Sequence, residues 1–123
     1  MTKTALALTA EEWRTYRPGA KTDDAQVAER WERAWKIAHT AASLLREKFR
    51  AKRVVVFGSL VRRTWFTPWS DIDLAAWGIP PDAFYRAVAF VTGLSPEFEV
   101  DLVSSEDCRP ALRQVIEGEG IDL

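Results

Sequence analysis

Cysteine and histidine are almost absent from this 123-residue chain: Cys108 is its single thiol and His39 its single imidazole. One thiol excludes an internal disulfide, and the two residues together cannot supply the four ligands of a structural zinc site. A reducing compartment, the cytoplasm, is the expected setting. Net charge is nearly absent as well. With 17 Lys and Arg against 18 Asp and Glu the formal charge is −1, which gives no bulk attraction to nucleic acid or anionic membrane, so no direct nucleic-acid binding is expected. No apolar run approaches the roughly 18 residues that a membrane span needs, and the N-terminus lacks the apolar stretch of a signal peptide. A soluble, unexported protein is expected, with no membrane partner, no internal repeat and no low-complexity tract.

What the chain has is core material. Hydrophobic residues make up 47% and charged residues 28%, with 6 Trp and 6 Phe, a globular composition. Its length suits one domain, since domains commonly run to about 100–150 residues.

The pattern along the chain is mixed. "LTAEEWRTY" holds a capping-box pair, Thr9 and Glu12, and predicts a short helix from near Ala10 that Pro18-Gly19 ends. From Asp23 to Phe49, Val27, Trp31, Ala34, Trp35, Ala38, Ala41, Ala42, Leu45 and Phe49 recur at three and four, predicting one long helix with an apolar face. "RVVVF" (53–57) predicts a buried strand that runs into Gly58-Ser59. "DIDLAAW" (71–77) and "FEVDLV" (98–103) alternate, which puts Asp71 with Asp73 on one face, and Glu97, Glu99 and Asp101 on one face of the later strand. Pro80-Pro81-Asp82 predicts a helix through about Thr92, with Gly93 after its last turn. Ser104 or Ser105 is expected to cap a last helix through about Glu117, and Gly118 and Gly120 to release the chain into "IDL". Helices alternating with three short strands point to a helical layer against a small sheet, an α+β architecture.

Three features carry chemistry. Glycine at the end of a buried strand lets backbone approach a ligand closely, and a helix start beyond it exposes N–H groups suited to phosphate; Ser59 adds a hydroxyl. Read alone, Gly58-Ser59 is first of all a strand-to-helix turn. Asp71 and Asp73 on one face repel each other unless a cation or proton lies between them. Magnesium meets that need with hard oxygen ligands, one or two of them carboxylates and others substrate phosphates; a solvated strand edge is the competing reading. Asp101 on a neighbouring strand adds a third carboxylate, and three acids suit a pair of ions that clamp the attacking and leaving oxygens of a displacement at phosphorus.

"GS" at 58–59, "DID" at 71–73 and "VDLV" at 100–103 resemble the signature of the DNA polymerase beta-like nucleotidyltransferases, and within them the minimal nucleotidyltransferases that act as antitoxins of HEPN toxins. The resemblance covers residues 53–123, including the closing "LRQVIEGEGIDL". It implies the nucleotidyltransferase fold: a small mixed sheet of three to four strands packed against helices, with helices over residues 1–50 preceding a catalytic core over 51–123. It further implies that Gly58 and Ser59 hold the outer phosphates of a nucleoside triphosphate, with Arg62 in support. Asp71, Asp73 and Asp101 would bind two magnesium ions, and Asp101 would also help deprotonate an acceptor hydroxyl. The implied activity is transfer of AMP from ATP to a tyrosine of a cognate HEPN ribonuclease toxin, which it would silence within a hetero-oligomer. Neutralisation by binding alone, and transfer to a small molecule of the aminoglycoside type, are the alternatives. The chain departs from the pattern at two places: eleven residues separate Ser59 from Asp71 where the pattern has about ten, and Arg63 replaces a frequent glycine.

The remaining conspicuous residues have structural readings. His39 sits on the long helix near Trp35, and Cys108 near a helix start without a base beside it. Trp65, Phe66 and Trp69 between Ser59 and Asp71 suit either contact with a base or partner, or packing on the domain itself. The cationic run "REKFRAKR" (46–53) suits a helix C-terminus.

Overall fold

The computed structural model describes residues 20–123; the short helix expected near Ala10 and its end at Pro18-Gly19 lie outside them. The first described element is a 30-residue helix, α1 (Ala20–Phe49), which begins ahead of the expected Asp23. Its apolar face is the one the spacing predicts. Ala34, Ala38, Ala41, Ala42 and Leu45 are buried, and Val27, Trp31, Trp35 and Phe49 pack against the same core. The helix ends with Arg50 in the left-handed region at φ 63°, and the Ala51 N–H reaches back to the Leu45 carbonyl at 3.1 Å. A backbone turn of this kind closes many helices, usually with glycine in the left-handed place.

Four strands follow: β1 (Arg53–Phe57), β2 (Ile72–Trp77), β3 (Val100–Ser104) and β4 (Ile121–Asp122). They form one mixed sheet in the order β3-β2-β1-β4. β1 runs antiparallel to both β2 and β4, whereas β2 and β3 are parallel. Parallel neighbours need a crossover, and α2 (Pro81–Thr92) provides it. Proline at its first position and Gly93 after its last turn bound it as expected.

Side chains alternate across the sheet, so register decides which face each meets. Val54, Val56, Ile72, Leu74, Val100 and Leu102 join α1 and α2 in the main core. The opposite face carries Val55, Phe57, Asp73, Ala75, Asp101 and Val103. There a smaller cluster forms from Val55, Phe57, Ala75 and Ile116, with Leu112 packed beside it. Ile116 and Leu112 belong to α3 (Pro110–Glu119), the helix on this second face.

Three boundaries differ from expectation. Asp71 lies just ahead of β2 rather than within it, and β3 starts two residues after Phe98, which is buried in the core. Neither Ser104 nor Ser105 caps the last helix: Ser105 extends the ladder by donating its N–H to the Ala76 carbonyl (3.0 Å). A turn follows, and α3 starts at Pro110 with Arg109 before it. Pro110 is the start signal that outweighs the serines, because its fixed φ and missing N–H suit the first helical position.

The closing "IDL" is a strand, not a release. Leu123 donates its N–H to the Val54 carbonyl (3.0 Å), Arg53 pairs with Asp122 at 2.6 Å, and Arg46 donates to the Leu123 carbonyl. Two cations of the 46–53 run thus hold the final strand. No described helix is long and apolar enough to cross a membrane.

Candidate active site

The site forms where β1 ends and β2 and β3 begin. Antiparallel register sets Phe57 opposite Asp73, and parallel register sets Asp73 opposite Asp101. Gly58 follows Phe57 with φ 77°. A Cβ built there would lie 2.5 Å from Asp73 Oδ2, well inside contact. Glycine is therefore required twice, by the left-handed backbone and by the carboxylate that occupies the side-chain position.

Gly58 and Ser59 begin a 3-10 helix, Gly58–Val61. Its Leu60 side chain is buried, and the Leu60 carbonyl accepts a 3.0 Å hydrogen bond from Trp31 Nε1 on α1. Helical spacing marks Trp31 only as a residue of the apolar face. Its second task, holding the turn beside the carboxylates, depends on a contact 29 residues distant in sequence.

The electrostatics around Asp73 are one-sided. Burial first, then Asp101, then Asp71 push its carboxyl from 3.8 up to about 6. Asp101 is also raised, by the burial it retains and then by Asp71. No cation or hydrogen-bond donor among these causes favours the ionised form. Asp71, just ahead of β2, thus acts on both Asp73 and the expected third carboxylate, Asp101. Among the described residues, no three acidic, histidine or cysteine side chains stand close enough to enclose a metal ion unaided. The donor set is carboxylate oxygen throughout, which suits a hard divalent cation that completes its shell with phosphate oxygens and water.

The loop to Asp71 is folded on itself. Thr67 N–H donates to Ser70 Oγ at 2.8 Å, and Ser70 N–H to the Thr67 carbonyl at 3.1 Å. Its three aromatics divide: Phe66 is in the core, whereas Trp65 and Trp69 are exposed. The Arg62 guanidinium, one residue past the 3-10 helix, stacks over the Trp65 ring at 4.7 Å. Glu97 stands apart from the carboxylates: Arg33 holds it at 2.6 Å, with Arg30 at 3.5 Å. His39 is an exposed ring beside Trp35, centroids 5.9 Å apart. Cys108 rests its thiol on the Ser105 carbonyl at 3.7 Å.

The profile of the nucleotidyltransferase domain matches residues 40–123. The chain belongs to that family. Its fold matches a solved protein assigned as a candidate minimal nucleotidyltransferase, at 30% identity and TM-score 0.54, covering 82% of this chain and 96% of that one. It is also similar to a chain of a toxin–antitoxin structure with AMP-PNP (22% identity, TM-score 0.58, 69% of this chain and 70% of that one). A third match lies in the complex of a tri-AMPylated Shewanella oneidensis HEPN toxin with MNT antitoxin (19% identity, TM-score 0.55, 72% and 70%). No curated protein matches the chain. The nucleotidyltransferase fold expected from the GS, DID and VDLV segments is the fold found, with four strands.

Proposed function

We propose that this nucleotidyltransferase uses magnesium to transfer AMP from ATP to a hydroxyl of a partner protein, a tyrosine of a HEPN toxin, and so acts as its antitoxin. One observation carries the reading: Asp73 and Asp101, register partners on the lightly covered face, crowd like charge, and the glycine at 58 leaves room for the Asp73 carboxylate. Such an arrangement is costly in a protein that binds no cation. Magnesium held by Asp71, Asp73 and Asp101 would supply charge neutralisation at the triphosphate.

The chain's own residues then do the rest. The backbone at Gly58 and the Ser59 hydroxyl hold the outer phosphates, with Arg62 leaving the Trp65 face to join them. Asp101, exposed at the start of β3 opposite Asp73, accepts the proton of the acceptor hydroxyl in its ionised form. The acceptor oxygen attacks the α-phosphorus as the bond to the bridging oxygen breaks, and pyrophosphate departs. The solved toxin–antitoxin complexes of similar fold support a protein acceptor. A bulky anion added to a ribonuclease would repel RNA by charge.

The test is incubation with labelled ATP, magnesium and the product of the adjacent reading frame, alongside Asp71→Asn. Label on the partner that disappears in the variant supports transfer. Inhibition of the partner that persists in Asp71→Asn without label would establish neutralisation by binding instead.

A further inference from the structure

The free edge of β3 carries a groove of about 900 Å³ that the chemistry above does not use. Leu102, Val103 and Ser104 line its base; Phe84 and Tyr85 of α2 lie on one side, and Leu112 of α3 on the other. Tyr85 is 83% exposed and offers an apolar ring with a polar tip to whatever enters the groove.

The base of this groove is a strand edge with unmet hydrogen-bonding capacity. Ile72 N–H donates to the Glu99 carbonyl and Ser105 N–H to the Ala76 carbonyl, each at 3.0 Å. Backbone groups alternate in direction along a strand, so residues 99, 101, 103 and 105 turn toward β2, and Val100, Leu102 and Ser104 turn outward. The Val100 carbonyl accepts from the Thr92 hydroxyl (3.4 Å), and the Ser104 carbonyl from the Asp107 N–H (3.2 Å). Among the described residues none is hydrogen-bonded to the outward N–H or carbonyl of Leu102. An adjacent donor and acceptor on a sheet edge, between apolar walls, suit an extended polypeptide.

Position and charge narrow the occupant. Leu102 directly follows Asp101, so a strand laid on this edge for three residues, about 10 Å, passes beside the proposed base. Glu99 is exposed at one end, and Glu106 and Asp107 at the other; Arg109 is the one cation among the described residues that line the groove. This acidic frame complements a segment that bears Lys or Arg.

We propose that the β3 groove docks the acceptor: an extended, Lys- or Arg-bearing segment of the acceptor protein adds to β3 as a further strand and brings its hydroxyl side chain to Asp101. The proposal rests on the reading of this chain as a protein-modifying nucleotidyltransferase. A small-molecule acceptor would leave the Leu102 backbone unmet.

The experiment uses the full chain with the product of the adjacent reading frame as probe. Hydrogen exchange at the Leu102 amide is followed with and without that protein, and transfer kinetics are compared for wild type and for Tyr85→Ala with Asp107→Lys, both at exposed positions. Expected are at least about tenfold slower exchange at Leu102 in the complex and an acceptor KM raised at least about tenfold, with the KM for ATP as the control. Transfer with an unprotected Leu102 amide, or with an unaltered acceptor KM in the variant, overturns the docking site and leaves the proposed function standing. Absence of transfer by the wild type overturns the proposed function, and the docking site falls with it.

Discussion

Replacing Asp73 by asparagine should make the protein more stable and catalytically dead. In the folded chain this carboxyl is pushed from 3.8 to about 6, chiefly by burial and then by Asp101 and Asp71. A folded pKa above the unfolded one means that the folded state holds its proton more tightly. Stability from this group is therefore greatest below pH 3.8, declines as pH rises toward 6, and above 6 the ionised carboxylate exacts its whole penalty. The displacement sets an upper bound of about 3 kcal/mol. Asp73 is only half-buried, so solvent reduces that to about 1–2 kcal/mol. Asparagine is nearly isosteric and carries no charge, so Asp73→Asn should gain about 1–2 kcal/mol at pH 7.5 and little at pH 4. Urea denaturation in metal-free buffer at pH 4, 5, 6 and 7.5 reads this as a smaller loss of stability across the range for the variant than for wild type. Magnesium added at pH 7.5 should raise the wild-type midpoint and leave the variant nearly unmoved, since a ligand of the folded state stabilises in proportion to its occupancy. A variant less stable than wild type at pH 7.5, or one with the same pH dependence, would refute the claim that Asp73 is held in an unfavourable ionised state.

Three further outcomes follow from particular contacts. Gly58→Ala places a methyl 2.5 Å from Asp73 Oδ2 and keeps φ at 77°, so it should cost about 1–2 kcal/mol of stability and, by moving the carboxylate, lower the transfer rate by at least about 100-fold; near wild-type transfer would count against the close approach. Trp31→Phe keeps most of the ring but removes the donor to the Leu60 carbonyl, and should cost about 1–2 kcal/mol while raising the KM for ATP through a looser 3-10 turn. Arg50→Gly relieves a left-handed residue at φ 63° and should add up to about 1 kcal/mol without altering transfer, as read by denaturant midpoint and a standard activity assay.

The parts of this fold that were legible in the sequence are those set by local periodicity. Ala34, Ala38, Ala41 and Leu45 repeat at helical spacing, and the structure buries all four. β1 occupies the predicted 53–57, because a β-branched run leaves little choice. The register that puts Asp73 opposite both Phe57 and Asp101 was not legible; alternation gives a side chain's face but not its neighbour across the sheet. The serines at 104 and 105 misled for a related reason. A serine caps a helix only where the backbone leaves the sheet, and Ser105 is still bonded to Ala76. Two residues show no period, so the fourth strand has no local signal, and what holds it, Arg46 and Arg53, lies about 70 residues earlier.

The placement of the carboxylates explains how one small domain tolerates them. Both project from the face opposite the main core, where α3 sets a small apolar cluster on Val55, Phe57 and Ala75. The cost of crowding them is thus kept out of the packing of α1 and α2, and it falls on a face open to solvent, where protonation or a bound cation relieves it. Had Asp73 occupied the neighbouring register it would have entered the site of Ile72 or Leu74, both fully buried, and a carboxylate there would cost several kcal/mol with no ion able to reach it. The two-residue repeat of a strand therefore separates the residues that hold the fold together from those that burden it. That separation is why loss of the Asp73 charge is expected to stabilise the fold while abolishing transfer.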